Sequence, residues 1–319
     1  ISNNNNHTHT RIGDNDNKIY GGVYNFNDKD SFLEHYYEDV FVNKNKQYLT
    51  EKQNINLSPI VIDVDIRYSN EINTRQHTKE HVIDLINLYI ENISKYCNLD
   101  DNFTTEVFVM EKPNVKLLEE KTKDGIHIII GVQSHKALQV FLRNNILNDL
   151  KCMWEDIPFT NDINDLIDEG ITKGSVNWQM YGSRKPNHEA YKLSYHYRCN
   201  YDNNINEWEY EDVDVLKFDY FNKLNELSVQ HEYDSCMIRE EVEKDLKNKQ
   251  TKKPKLLKFK NGNEIINYSE IDSEDKLDKA IDKLLDMAEA NVNEYKLKEI
   301  HDYTMILPEN YYGPGSYDK

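Results

Sequence analysis

The sequence lacks several patterns that would assign it to a common class of protein. Its four cysteines are scattered and form no CxxC pair, which predicts reduced thiols and argues against a zinc site. No apolar run approaches the length of a membrane span and no signal peptide is present, so we expect a soluble, intracellular protein with no membrane partner. No GxxxxGK pattern occurs, so P-loop ATPase chemistry is not expected of this part of the chain.

Positive charge is also scarce. The formal net charge is −18, which argues against a dedicated nucleic-acid coat protein. This net charge does not exclude an enzyme with a local basic groove, because affinity for nucleic acid depends on the local charge of the binding surface and not on the net charge of the whole protein. The 319 residues are enough for one large domain or two moderate ones. The chain starts at Ile1 without a methionine, so we expect it to be part of a longer protein.

Composition divides the chain into three parts. Residues 1–17 are polar and predict an N-terminal tail, and residues 18–233 carry the apolar periodicity of a folded domain. Residues 234–319 predict a basic linker and a helical extension that lead to a downstream domain. Within that part, Lys247 to Lys260 holds seven lysines and no acid, which is typical of a tether.

Two aspartates follow a buried strand near the start of the domain. Pro59 opens the apolar run Ile60-Val61-Ile62, and Asp63 and Asp65 come next. Side chains of a strand alternate between its faces, so these two carboxylates lie on the same face and repel each other. A shared proton or a divalent metal would relieve the repulsion, and Mg²⁺ accepts both carboxylates and substrate phosphates. A strand end in solvent would also tolerate the pair, so the pair alone leaves both interpretations open.

The elements after Pro59 predict a mixed α+β fold. The order is strand, helix, two strands and helix, followed by an insertion and two more strands. This is the split βαβ plan of RNA-recognition-motif-like and ferredoxin-like sheets, preceded here by a smaller α/β unit. The predicted elements are a helix at 31–42, a helix after Thr78, a strand at 104–111, a strand around His127, a helix at 134–150, and strands at 175–181 and 191–197.

Two further segments could contact phosphate. The turn Lys123-Asp124-Gly125 feeds the strand that carries His127, and it offers a cation and close backbone approach. The segment 177–186 supplies two adjacent cations, Arg184 and Lys185. A histidine on an apolar strand is more often a core residue, and two cations at a hairpin end can simply be exposed, so these alternatives stay open.

Three motifs taken in order resemble the archaeo-eukaryotic primase superfamily. They are Pro-Ile-Val-Ile-Asp63-Val-Asp65-Ile-Arg, Lys123-Asp-Gly-Ile-His127-Ile-Ile-Ile and Asn177-Trp-Gln-Met-Tyr-Gly-Ser-Arg-Lys185-Pro. Within the superfamily the chain is most similar to the primase-polymerase half of giant-virus and poxvirus-type primase-helicases. Its closing Leu-Pro-Glu-Asn-Tyr-Tyr-Gly-Pro-Gly-Ser resembles the segment that leads towards a helicase in those proteins.

The resemblance implies a metal site. Asp63 and Asp65 match the acids that bind the catalytic metals, and two divalent ions, Mg²⁺ or Mn²⁺, are the implied cofactors. Asp168 is the expected third ligand because of its spacing from the third motif. Asp162 and Asp165 are nearby rivals for that role.

The resemblance also implies a nucleotide site. His127 matches a histidine that contacts the incoming nucleotide, and Lys123 and Lys185 match lysines that contact phosphates. Gly125 stands where the family often has serine, so only its backbone can make that contact. Gln179 stands where related proteins often have arginine. We group Ser183, Arg184 and Arg67 with the candidate nucleotide-binding residues.

The implied function is primer synthesis from nucleoside triphosphates on a single-stranded DNA template in viral DNA replication. A covalently linked helicase would be a partner, and the host cytoplasm or a viral replication factory the location. Two alternatives remain at this point. A metal-dependent nuclease uses the same carboxylates but needs no lysines around a triphosphate. A binding module of the RNA-recognition-motif type stacks bases on sheet aromatics, whereas acids on the sheet face would repel phosphate.

Overall fold

The computed structural model describes residues 7–100 and 102–244. The predicted lysine tether and the predicted extension beyond it lie outside these residues. In the described part of the chain, no helix is long and apolar enough to cross a membrane. The four cysteines, Cys97, Cys152, Cys199 and Cys236, are free thiols.

The strands are short except for those of the main sheet. In chain order they are β1 (His9–Arg11), β2 (Gly22–Tyr24), β3 (Leu49–Glu51), β4 (Ser58–Ser69), β5 (Cys97–Asn98), β6 (Thr104–Glu111), β7 (Lys116–Leu117), β8 (Lys121–Ser134), β9 (Trp178–Gln179), β10 (Lys192–Asp202), β11 (Glu207–Asp212) and β12 (Met237–Ile238).

Two long helices accompany the strands. The α-helices are α1 (Lys29–Tyr37), α2 (Lys79–Tyr96), α3 (Lys136–Met153), α4 (Ile163–Leu166), α5 (Glu169–Lys173) and α6 (Tyr220–Lys223). A π-helical turn at Glu38–Val42 continues α1, and 3₁₀ turns occur at Val215–Lys217 and Leu224–Leu227. Thr78 caps α2 in a capping box with His81. The side chain of Asp28 caps α1 and accepts from the Ser31 N–H.

The main sheet confirms the predicted α+β class. Its strand order is β11-β10-β6-β8-β4, with every neighbouring pair antiparallel, and β7 pairs with β8. Strand β8 lies between β4 and β6, which is the split βαβ arrangement. The register places Asp63 opposite His127 and Asp65 opposite Gly125. The first two motifs therefore meet side by side.

The larger part of the core lies on the face of this sheet that packs against α2 and α3, and a second buried apolar cluster, which includes Val61, Phe108 and Ile129, lies on the other face. Ile62, Val64 and Ile66 of β4 are fully buried on the helix-covered face. The helices contribute apolar residues at helical spacing, such as Leu85 and Ile86 of α2. This apolar layer fixes which side chains of β4 face the opposite side of the sheet.

The second sheet corrects an expectation about the N-terminal residues. Residues 1–17 were predicted to be a polar tail, but His9–Arg11 form β1 between β2 and β3 in the order β2-β1-β3-β9. The His9 ring is buried and lies 5.0 Å from the rings of Phe26 and of Phe32. A three-residue strand is too short to show periodicity, so its pairing was not visible in the sequence. The strand predicted at 175–181 is likewise only Trp178–Gln179.

Candidate active site

A cavity of about 690 Å³ lies on the side of β4 and β8 away from α2 and α3. Its volume is within the usual range for small-molecule sites. Residues of both larger sheets line it, including Thr50 of β3 and Gln179 of β9. The sequence-predicted residues that line it are Asp63, Asp65, Lys123, Gly125, His127, Asp168 and Lys185. The three motifs therefore converge on one space.

The two aspartates of β4 each have a basic partner. Asp63 Oδ1 lies 3.5 Å from His127 Nε2. Asp65 Oδ2 lies 3.2 Å from an Arg67 guanidinium nitrogen and 3.5 Å from Lys123 Nζ. Arg67 does not line the cavity, so the structure brings it to the carboxylate and not to the space where a nucleotide would bind. These contacts offset the repulsion expected between the two acids.

In the Asp63–His127 pair, the surroundings favour a charged carboxylate and a neutral imidazole. Burial raises the pKa of the Asp63 carboxyl, but the attraction and hydrogen bond of His127 and the charges of Lys185 and Lys112 outweigh it, so the net pKa is lowered. For His127, burial is the largest effect and lowers the pKa, although Asp63 opposes it. At neutral pH the imidazole is therefore an uncharged hydrogen-bonding group.

Asp168 reaches the cavity from the edge of the main sheet. Its backbone N–H donates to the Asp63 carbonyl at 2.9 Å, and Ile167 bridges to Val64. Its carboxylate caps α5 and accepts from the Ile171 N–H at 3.0 Å.

The rivals of Asp168 lie elsewhere. Asp162 caps α4 and Asp165 lies within that helix, both exposed and neither lining the cavity. Position alone therefore favours Asp168 as the third carboxylate of the site.

Carboxylates are the type of ligand that a hard cation prefers, but the carboxylates of Asp63, Asp65 and Asp168 do not form a compact ligand cluster. Among residues 7–100 and 102–244, no group of three or more His, Cys, Asp or Glu side chains is placed to hold a metal ion. Oxygen donors on one strand face are nevertheless what Mg²⁺ and Mn²⁺ prefer. Asp63 and Asp65 fit such an ion directly, whereas Asp168 would have to share its carboxylate with the α5 cap.

His127 is held between two aromatic rings. Its ring centroid lies 3.7 Å from that of Tyr191 and 4.1 Å from that of Trp178. Tyr191 also explains the glycine of the second motif, since a Cβ at Gly125 would lie 2.7 Å from the Tyr191 hydroxyl. A serine here would require Tyr191 to move. Trp178 and Tyr191 follow no catalytic pattern in the sequence, and only the fold reveals their contact with His127.

The segment Lys123-Asp124-Gly125, predicted to be a turn, lies within β8 because it pairs with β4, and an ion-pair network supports it. Arg75 donates to both carboxylate oxygens of Asp124 at 2.8 and 2.9 Å, and to the Lys112 carbonyl at 2.5 Å. Asp124 in turn accepts from the Gly125 N–H at 2.9 Å. Arg75 therefore ties the first part of β8 to the residue after β6. None of the three sequence motifs includes this arginine.

Lys112 is another cavity residue that the motifs do not include. It lines the cavity directly after β6. Burial, and secondly the charge of Lys185, lower its pKa to about 8. The position of Lys112 immediately after a predicted strand was the available indication in the sequence that it lines a site, but this indication is weak.

Besides Arg67, two predicted residues do not line the cavity. Ser183 is buried, and its hydroxyl accepts from the Leu49 N–H at 3.1 Å and shares a 2.8 Å hydrogen bond with the Tyr36 hydroxyl. Arg184 is held through its backbone N–H, which donates to the Gln47 carbonyl at 2.9 Å. Gln179 does line the cavity, and its amide donates to the Ser183 carbonyl at 2.7 Å.

An α+β domain with carboxylates, lysines and a neutral histidine around one cavity has the residue types of nucleotidyl-transfer enzymes. The chain belongs to the family of the C962R protein N-terminal AEP domain, where AEP denotes archaeo-eukaryotic primase. The family's sequence model matches residues 14–197, more than half of the 319 residues. The resemblance inferred from the three motifs is thereby confirmed.

A similar protein is known from a giant virus. The chain is 31% identical over 170 residues to a protein named putative helicase L207/L206 from Acanthamoeba polyphaga mimivirus. The aligned stretch is 51% of this chain but only 17% of that relative. The chain thus spans a minor part of the relative's length. This match agrees with the predicted similarity to giant-virus primase-helicases.

Proposed function

We propose that this domain is a template-directed primase-polymerase that joins nucleotides from nucleoside triphosphates. The observation that carries the proposal is the convergence of Asp63, Asp65, His127, Lys123 and Lys185 on one cavity in a chain of the AEP family. Acids and lysines in one cavity suit a substrate that is both metal-bound and polyanionic.

The carboxylates are proposed to hold the divalent ions. Asp63 and Asp65 would be the principal ligands, with Asp168 as the third. An Mg²⁺ or Mn²⁺ ion bound there would neutralise charge on the triphosphate and lower the pKa of the attacking hydroxyl. The contacts with His127, Lys123 and Arg67 orient the two carboxylates before any ion binds.

The basic residues are proposed to hold the nucleotide. Lys123 and Lys185 contact the triphosphate as point charges. His127 contributes one hydrogen bond from a neutral ring whose orientation is set by Tyr191 and Trp178. Gly125 allows a ligand to approach the backbone closely, and Arg75 fixes this part of β8 through Asp124. Catalysis by these groups is chiefly positioning and charge stabilisation.

The proposed setting is viral DNA replication, in the host cytoplasm or a viral replication factory. A single-stranded DNA template and nucleoside triphosphates are the proposed partners. A helicase linked to the same chain is also proposed, and the word helicase in the mimivirus relative's name supports it.

The test is a synthesis assay with labelled nucleotides, Mg²⁺ or Mn²⁺, and a single-stranded DNA template. We expect labelled primers from the wild-type protein and none from Asp65→Ala. Asp162→Ala is the matched control, because it removes an exposed carboxylate outside the cavity, and it should synthesise normally. A shortened template without primers would show a nuclease instead, and a gel shift without either product would show a binding module. Either result would overturn the proposal.

A further inference from the structure

Lys112 is a cation of the cavity that lies outside the three sequence motifs. It follows β6 directly, and its side chain shares the cavity with Lys123 of β8 and Lys185 of the loop before β10. The three lysines thus reach the same space from three different parts of the fold, and Lys116 of β7 also lines it. That arrangement calls for an explanation, because like charges that face a common space repel each other.

The backbone of Lys112 is fixed from two sides. Its N–H donates to the Gly125 carbonyl at 3.2 Å, and its carbonyl accepts from Arg75 at 2.5 Å. Arg75 also holds Asp124. The start of the Lys112 side chain is therefore positioned relative to the part of β8 that carries Lys123 and Gly125.

The ammonium group is positioned as well. Lys112 Nζ lies 3.8 Å from the centre of the Tyr191 ring and donates to the Glu189 carbonyl at 2.6 Å. A cation over an aromatic ring is held by the ring's negative face without being neutralised. A carbonyl oxygen likewise leaves the charge in place. The side chain is thus held in place while its charge remains available to an anion.

Charge balance also favours an anionic ligand. Among the described residues, neither Lys112 nor Lys185 forms an ion pair with a carboxylate, whereas Lys123 pairs with Asp65. Lys185 is exposed and Lys112 is partly buried, and the charge of Lys185 lowers the pKa of Lys112, although Asp63 and Glu189 oppose this effect. A polyphosphate bound between them would relieve this repulsion by making charge-assisted hydrogen bonds to both.

We propose that Lys112 is a third phosphate-binding lysine, which contacts the triphosphate of the bound nucleotide together with Lys123 and Lys185. This inference rests on the proposed function and adds a substrate-binding residue to it. When the nucleotide binds, a phosphate oxygen takes over the hydrogen bond that Glu189 accepts. Tyr191 is then a positioning residue for Lys112 as well as for His127.

A purely structural role for Lys112 makes a different prediction. In that case the ammonium only ties the Glu189 loop to the end of β6, and its loss would lower thermal stability without regard to what binds. Phosphate binding instead requires a loss of affinity that grows with the number of phosphates on the ligand.

The experiment compares Lys112→Gln with the wild type in binding a nucleoside and its mono-, di- and triphosphate, measured by calorimetry in EDTA. Working without divalent ions separates the lysines from the carboxylates. We expect the affinity of Lys112→Gln for the triphosphate to fall at least about tenfold, and its affinity for the nucleoside to stay unchanged. Lys192→Gln is the matched control, because Lys192 is an exposed lysine next to the same region and does not line the cavity.

Two more variants complete the design. Lys112→Met keeps an aliphatic stem over Tyr191, and it replaces Lys112→Gln if that variant does not fold. Lys185→Gln tests the nucleotide pocket itself. Loss of triphosphate preference in Lys185→Gln but not in Lys112→Gln would overturn the role of Lys112 and leave the proposed function standing. A wild-type protein that binds nucleoside and triphosphate equally would overturn the nucleotide pocket as a whole.

Discussion

Around the cavity, the two faces of the main sheet differ in chemistry although the same strands build both, and beyond the cavity a second apolar cluster packs on the cavity face. In β4, Ile62, Val64 and Ile66 have no exposed surface and pack against the helices. Asp63 and Asp65 alternate with them and face the cavity. One stretch of five residues therefore supplies both core and candidate site, because the side chains of a strand alternate.

The two faces of the main sheet also differ in how completely other elements cover them. Two long helices cover the apolar face completely, so any polar group there would lose its water. The cavity face is only partly covered by the second sheet, and its polar groups pair with one another around an open space. Substitutions of core residues on the helix face should therefore change stability, while substitutions of the polar residues that line the cavity should change chemistry. The following predictions test this division, from the largest expected effect to the smallest.

The largest effect is expected from Asp65→Ala on the cavity face. It removes a carboxylate proposed to hold the divalent ion, so primer synthesis should fall by on the order of 10³-fold or more. The free energy of unfolding should change by less than about 1 kcal/mol, because Asp65 and Arg67 are each about one-third exposed and such pairs contribute little. A primer assay and urea unfolding measure the two effects.

Asp63→Ala should also abolish synthesis. Its cost in stability should be larger, because His127 loses its partner. If Asp65→Ala lowers stability by several kcal/mol while its residual synthesis follows the folded fraction, the residue is structural and the division between the faces fails.

The matching substitution on the helix face is Ile62→Ala. It should cost about 2–5 kcal/mol of unfolding free energy, because it leaves a void in a closed core. Urea unfolding measures this loss. Ile62→Val, with a smaller void, is expected to cost about 1 kcal/mol. Below the unfolding transition the nucleotide affinity of both variants should equal that of the wild type. A selective loss of affinity in folded Ile62→Ala would contradict the separation of the two faces.

Lys185→Ala tests the cavity face away from the carboxylates. Leaving a phosphate charge unpaired should lower kcat/KM by on the order of 10²-fold. De novo priming should suffer more than extension, because an annealed primer helps to anchor the reacting end. His127→Ala should show the same pattern with a similar or smaller loss, since a neutral imidazole supplies a single hydrogen bond. Steady-state assays of both reactions measure these changes.

Template affinity distinguishes a nucleotide contact from a DNA contact. In a gel shift without nucleotide, Lys185→Ala should bind the template as the wild type does. Weaker template binding with strong salt dependence, and unchanged nucleotide affinity, would make the segment 177–186 a DNA-binding surface.

The smallest effect concerns a buried lysine outside the cavity. Lys136 at the start of α3 donates to the side chains of Gln53 and Gln139 at 2.5 and 3.0 Å, and burial lowers its pKa to about 8. The folded protein therefore releases this proton at lower pH than the unfolded chain. Charged Lys136 opposes folding below about pH 8, and this penalty disappears as the pH rises from about 8 towards the ordinary lysine pKa.

Relative to Lys136→Met, the wild-type protein should gain stability by up to about 3 kcal/mol between pH 7 and pH 10. Urea unfolding of both proteins at each pH measures the difference, and tyrosine ionisation cancels because both proteins share it. Lys173→Met, which removes a half-exposed lysine, should show no such dependence. A constant difference between wild type and Lys136→Met across this range would refute the assignment.

Part of the candidate site could be predicted because it depends on local patterns. The alternation in Pro59–Asp65 determined that two acids share a face opposite an apolar one. The helical periodicity after Thr78 determined α2 and its cap. Short motifs around His127 and Lys185 were enough to recognise the family, since each lies within ten residues of chain.

Long-range contacts were decided only by the tertiary structure. The pairing of β4 with β8 sets His127 opposite Asp63, and a single bridge at Ile167 brings Asp168 beside them. Tyr191, Trp178 and Lys112 meet His127 or one another from separate strands and loops, so no spacing in the sequence marks them. The strand β1 was missed for the same reason. Hydrophobic periodicity can be read from neighbouring residues in the sequence. The register between distant strands depends instead on how much apolar surface the whole chain buries.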